Sequence, residues 1–348
     1  KKAKKILKDK INLYPESLIL GQFNEDIENS HKTYFSDNFE CKNKSHVIAE
    51  IIYIISNALS SQGFYALSNF YLNIAKYLNE NFTSYQILYG ENHYQLENFN
   101  DTKKIFRKIS NNGKIYDWYA SKQITNTMLR EKKTEEAIIY LEKKFKKLQK
   151  PGIFQIYDYA DFLKRNEKYN QSLKYFDLIL NRIDTNHKLY AKATDKRGVV
   201  NERLGNWDNA EKDFLNSLKI SPDQAYVINY LAYSWLEQSK NIEKSLEMLK
   251  KANDLKTNDG YIIDSLGWAH FKLKNYSKAK FYLQKAIKIM PDDPVINDHY
   301  GDTLWMIDKK LQARYYWKNV LNLDGTEDEL VKKVKKKLIY GLEIIQND

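Results

Sequence analysis

With one cysteine, Cys41, in 348 residues, the chain can form no internal disulfide and no CxxC metal or redox pair. Its six histidines are scattered over positions 31, 46, 93, 187, 270 and 299. Missing too are a GxxxxGK[ST] phosphate loop, an HExxH zinc motif, a GxSxG nucleophile elbow and a GxGxxG turn following a strand, so the usual signatures of enzyme chemistry are absent. No run of about 18 apolar residues is available to span a membrane. The opening KKAKKILKDKINLYP has too little apolar core for a signal peptide. Arginine is scarce: positive charge comes from lysine, with arginine only at 107, 130, 165, 182, 197, 203 and 314.

The formal charge of +11 invites a nucleic-acid or anionic-membrane reading. Lysine is spread through the chain together with Asn, Ile and Tyr, which fits solvated helix faces, and no glycine-rich or arginine-rich arm supports nucleic-acid binding. The hydrophobic share is 43%, and the mean hydropathy is −0.67. Such a chain has material for a large core, which need not be a single globular one.

What the sequence does contain is a repeat. In residues 259–301, Leu266 and Gly267 are followed by Tyr276, Ala279, Leu283, Ala286 and Pro291, and the order then begins again. Counting Gly260 as position 1, position 8 is held by Ser56, Gly90, Thr125, Ala160, Gly198, Ala232, Gly267 and Gly301. Position 20 is held by Ser68, Thr102, Ala137, Ser172, Ala210, Ser245, Ala279 and Ala313, all small. Position 24 carries Leu72, Phe106, Leu141, Phe176, Phe214, Leu249, Leu283 and Trp317, all large and apolar. Small residues at fixed spacing let two short antiparallel helices approach, and a period of about 34 residues signals a helical solenoid.

This pattern resembles the tetratricopeptide repeat (TPR) family. NYLAYSW, NDGYIIDSLGWA and DDPVINDHYGDTLW are similar to the closing repeats of a group of TPR proteins common in alphaproteobacteria. The resemblance implies an all-α solenoid of stacked antiparallel helix pairs, a right-handed superhelix with a C-terminal capping helix, no cofactor and no enzyme activity. It also implies a bacterial protein-interaction scaffold on the periplasmic side of the cell envelope, with the cytoplasm as the alternative.

Four segments follow. Residues 1–48 read as a truncated repeat helix, with Ala3, Leu7 and Pro15 at positions 20, 24 and 32, and then an irregular connection from Leu18. That start in mid-repeat leads us to expect a fragment of a longer protein, through whose missing part alone a membrane would be met. Residues 49–186 and 187–327 hold four repeats each, with the longest insertion at DTNHKLY and a one-residue insertion near Lys240 or Asn241. Residues 328–348 form the cap, with Leu330, Val334, Leu338 and Leu342 on one face.

In TPR units the partner-facing wall comes from positions 2, 5, 9 and 12 of the first helix. By this resemblance the client, a protein or peptide, meets Tyr226, Asn229, Tyr233 and Leu236, then Tyr261, Asp264, Trp268 and Phe271, then Asp298, Asp302 and Trp305. Aromatics beside carboxylates suit a peptide with apolar anchors and a few basic residues. Asp264, Asp298, His299 and Asp302 could also be imagined as a metal or acid/base site, but capping helix N-termini or lining a groove suits them better. His93 and His270, both at position 11, read as packing residues. Some TPR proteins clamp a terminal carboxylate, and Lys122, Asn126, Lys192 and Lys196 fit that pattern while Asp158 has the wrong sign. Three functions remain open: a protein-binding scaffold, a regulatory or targeting module of a larger enzyme, and a nucleic-acid-binding solenoid. A catalytic domain upstream of Lys1 would favour the second, and salt-dependent nucleic-acid binding the third.

Overall fold

A computed structural model describes residues 2–14, 16–28 and 39–342. Among the described residues there are nineteen α-helices and no strand. Helices α1 (Lys2–Leu13) and α2 (Leu18–Glu28) precede eight pairs. These are α3 (Lys44–Ser61) with α4 (Tyr65–Leu78), α5 (Thr83–Gln95) with α6 (Phe99–Ile109), α7 (Lys114–Arg130) with α8 (Thr134–Lys146), and α9 (Ile153–Arg165) with α10 (Tyr169–Leu180). Then come α11 (Tyr190–Arg203) with α12 (Trp207–Ile220), α13 (Ala225–Glu237) with α14 (Ile242–Leu255), α15 (Gly260–Lys272) with α16 (Tyr276–Ile289), and α17 (Pro294–Met306) with α18 (Lys310–Val320). A last helix, α19, spans Asp328–Tyr340. The chain forms two compact units, Lys1–Asn166 and Glu167–Asp348, divided in the turn of the fourth repeat and ahead of the DTNHKLY insertion.

Each pair is built on a small residue facing a large one. A Cβ added to Gly267 would lie 2.6 Å from Leu283 Cγ, and one added to Gly301 would lie 2.6 Å from Trp317 Cδ1. Gly198 meets Phe214 and Gly90 meets Phe106 in the same way. In these four repeats the tightest contact of position 8 is thus the position-24 side chain of its own repeat.

The turn inside each pair recurs as well. Gly63, Glu97, Lys132, Glu167, Gly205, Ser239, Lys274 and Asp308 all have left-handed backbone, with φ between 54° and 84°. Around Lys274, its own N–H donates to Phe271 O and the next N–H, of Asn275, donates to His270 O, both at 2.8 Å. This pair of bonds satisfies carbonyls that a helix end leaves free. The one-residue insertion expected near Lys240 appears as a second left-handed residue, Asn241, after Ser239.

Two expectations need correction. Residues 18–28, assigned to an irregular connection, form α2, because Leu18, Ile19, Leu20, Phe23 and Ile27 give them a surface to cover. Gln22 of α2 accepts from the Ile115 N–H at 3.0 Å, and Lys114 pairs with Glu25 at 2.8 Å, so α2 docks on α7. The polar remainder of that connection, residues 29–38, lies outside the described residues. The cap helix ends at Tyr340, and Gly341 follows with φ 79°, a conformation that suits glycine.

Candidate partner-binding face

In the unit Glu167–Asp348, helices α13, α15 and α17 carry the expected wall. Tyr226 and Tyr261, both at position 2, are 54% and 53% exposed. The Tyr226 hydroxyl donates to Asp259 at 2.9 Å, and Lys256 sits over its ring. Asn229 is half-buried, and its side-chain oxygen is buried with no hydrogen-bond partner among the described residues. Tyr233 is half-buried, and its hydroxyl is pushed to a higher pKa by burial, with Glu237, Asp264 and Asp298 adding to the effect.

The other wall residues are buried and engaged internally. Leu236 belongs to the apolar core. Trp268 stacks on Phe271 at 4.5 Å and on His299 at 3.9 Å, and its indole N–H donates to Glu237 at 2.7 Å. His299 Nδ1 pairs with Asp264 at 3.0 Å. Burial opposes the imidazolium, but the Asp264 carboxylate outweighs it and raises the His299 pKa.

Asp298 and Asp302 close around a cation that the sequence did not single out. Lys337, 6% exposed on α19, places Nζ 2.8 Å from both carboxylates. Burial pushes Asp302 up to about 6 even so, and its carboxylate also accepts from Trp317 Nε1 at 2.9 Å. Trp305 packs against Trp317 and beneath Arg314, with its own Nε1 buried and unpartnered among the described residues. The acidic cluster does not cap helices: Asp259 and Asp293 do that, accepting from Ile262 N at 3.3 Å and Ile296 N at 3.0 Å. Among the described residues no group of three or more His, Cys, Asp and Glu could hold a metal ion, and no helix is long and apolar enough to cross a membrane. His270 packs as its position suggested, stacked on Tyr282, and burial lowers its pKa.

The unit Lys1–Asn166 has a cavity of about 170 Å³ between α7 and α9, lined by Lys122, Asn126, Asp158, Asp161 and Arg165 among others. Lys122 Nζ lies 2.6 Å from Asp158, which also accepts from Trp118 Nε1 at 3.0 Å. The cation that a carboxylate clamp would use is already neutralised there, and Lys192 and Lys196 belong to the other unit.

Residues 94–324 match the family model of the tetratricopeptide repeat. The chain belongs to the TPR family. It is 28% identical over 106 residues to a TPR repeat-containing protein of Pseudomonas aeruginosa, a match taking in 30% of this chain and only 18% of that protein. Among solved structures, a TPR protein of Parabacteroides merdae aligns over 84% of this chain and 98% of its own, at 14% identity and TM-score 0.51. The APC/C hetero-tetramer Cut9–Hcn1 supplies a chain aligned over 82% of this one and 55% of its own, at 15% identity and TM-score 0.56. At such identities the structural likeness speaks for the fold alone. TPR arrays are generally non-catalytic scaffolds for protein interaction, and this chain shares that architecture.

Proposed function

We propose that the chain is a non-enzymatic scaffold that takes a protein or peptide client on the wall formed by α13, α15 and α17. The supporting observation is the pair of half-exposed tyrosines, Tyr226 and Tyr261, at equivalent places on successive first helices, with the unpartnered Asn229 oxygen beside them in register. A peptide laying an apolar side chain across the two rings would cover them. Asp264, Trp268, Phe271, Asp298, Asp302 and Trp305 form the floor beneath, where the carboxylates are paired with His299 and Lys337 and hold the floor's shape. Tyr233 bridges rim and floor.

The test is photo-crosslinking from position 261 of the purified chain in extract, followed by calorimetry with the client so identified. Tyr226→Ala and Tyr261→Ala should each weaken that client about tenfold or more, the scale of an interface anchor, without changing the melting temperature. Crosslinks from outward positions such as Phe281 in place of 261 would defeat the reading. Placement at the cell envelope is a further proposal resting on the resemblance, and fractionation of the full-length protein decides it.

A further inference from the structure

The outward face of α4 differs from that of the second helix in every later repeat. Its positions 16, 19, 26 and 29 carry Phe64, Leu67, Ile74 and Tyr77, and in the repeats that follow these places hold Lys, Asn, Asp, Glu or Gln, with Leu178 the exception. With Phe70 at position 22 they run as a stripe along α4 and are 37 to 83% exposed. On α3, Ile51 and Ile55 stand at positions 3 and 7 and are 55% and 44% exposed. Ile262, Leu266, Ile296 and Tyr300, at the same positions of later repeats, are 5% exposed or less. Ile262, for instance, packs on Ile228 and Ala252 of the repeat before it.

The same stretch is nearly free of charge. Between Lys44 and Lys76 the one carboxylate or ammonium side chain is Glu50, which accepts from the Tyr85 hydroxyl at 3.1 Å. All 56 lysines and arginines of the chain lie outside residues 45–75.

We infer that the α3/α4 face is where a second copy of this chain docks, each copy offering the same surface. Seven large apolar side chains about half exposed, with Ile48 and Ile54 beside them, come to roughly 800 Å² at on the order of 80–100 Å² each. That is about one partner's share of a standard interface, and more than the largest apolar patch of an ordinary monomer. Charge selects the partner. A chain of net charge +11 repels its own copy across lysine-bearing faces, and at α3/α4 two copies meet with no ammonium opposed to another. At the far end α19 covers the last repeat, with Val334 fully buried, and the apolar side chains left exposed there, Leu311, Tyr315, Ile339 and Tyr340, stand among Lys309, Lys310, Lys318, Lys335 and Lys336, so the face that best suits α3/α4 is its own copy. The contact is therefore two-fold.

Sedimentation of the full chain from about 1 to 200 μM, at about 0.1 and 0.5 M salt, tests this, since the higher salt shortens the screening length about twofold. A dimer is expected, tightened at least threefold by salt because screening relieves the repulsion between the two net charges. Leu67→Glu/Phe70→Glu and Leu67→Lys/Phe70→Lys, at exposed sites, should each be monomeric with unchanged helix content, and mixing them should restore a dimer. A wild-type chain that stays monomeric at both salts, including one that instead binds neutral phosphatidylcholine vesicles, would overturn the inference. So would a dimer indifferent to both double variants.

Discussion

Glycine at position 8 faces two opposing effects, and their sizes decide what a substitution does. Replacing glycine with alanine inside a helix ordinarily gains up to about 1 kcal/mol. At Gly267 the new Cβ would sit 2.6 Å from Leu283 Cγ and 3.2 Å from the Leu283 backbone nitrogen, which cannot swing aside. Overpacking of that kind costs about 1–3 kcal/mol, so Gly267→Ala should lower the urea midpoint and Gly267→Leu should lower it further. Lys274 presents the opposite case, an L-residue held at φ 60°. Lys274→Gly should raise stability by up to about 1 kcal/mol, whereas Lys274→Leu should change little. A stabilised Gly267→Ala would mean that α15 and α16 can part without loss. The small and large residues that set this packing were legible in the sequence because they recur in register through all eight repeats. Lys337 was not, since within VKKVKKKL it looks like one more lysine on a solvated face. Its register holds the signal: counted from Asp328 as position 1 it falls at position 10, where Ala269 and Thr303 are fully buried.

As an element, α19 is a cap whose polar anchor matters as much as its apolar face. Lys337 compensates two buried carboxylates, so Lys337→Ala would leave Asp298 and Asp302 facing each other in a dry site, at a cost of about 3–5 kcal/mol. The triple variant Lys337→Met/Asp298→Leu/Asp302→Asn, whose amide oxygen at 302 can still accept from Trp317, should recover most of that loss in thermal unfolding. A Lys337→Ala chain as stable as the parent would show that water reaches the pair. Acidity acts on the same element. Asp302 is raised to about 6 and His299 above its ordinary 6.5, so the folded state binds both protons more tightly than the unfolded chain does. Both therefore contribute stability at low pH that is lost as pH rises, Asp302 between about 4 and 6 and His299 as pH climbs through its raised value. His299→Gln should remove the second decline from a plot of melting temperature against pH, while leaving the first. The candidate wall was legible as a list of positions. Its division into an exposed rim and a buried floor was not, because that depends on contacts from the adjacent repeat or cap, Glu237 with Trp268 and Lys337 with Asp298.

Across the molecule the apolar core is distributed unevenly. In the unit Glu167–Asp348 one cluster runs from Ala232 through Leu266, Trp268 and Leu283 to Trp317, Val334 and Leu342. In the unit Lys1–Asn166 a cluster of five buried residues around Leu72 and Tyr85 holds α3 and α4, another gathers around Phe106 and Ile124, and α7 to α9 bury Trp118, Leu141, Phe145 and Tyr159 together. Stability in a repeat array is close to a sum of each repeat's own term and its contacts with neighbours, so an end repeat with an uncovered face should open most readily. The family model begins at residue 94, so α3 and α4 lie outside the matched segment, and they also carry the apolar outward stripe. These helices have traded the polar exterior of their kind for a surface that needs a cover. Amide exchange measured at a dilution where the chain is monomeric should therefore be slowest in α15 to α18, where the long cluster lies, and markedly faster in α3 and α4. Equal protection in both under those conditions would mean that the end repeat is held by its own packing, and the buried clusters would then be a poor guide to where this array opens.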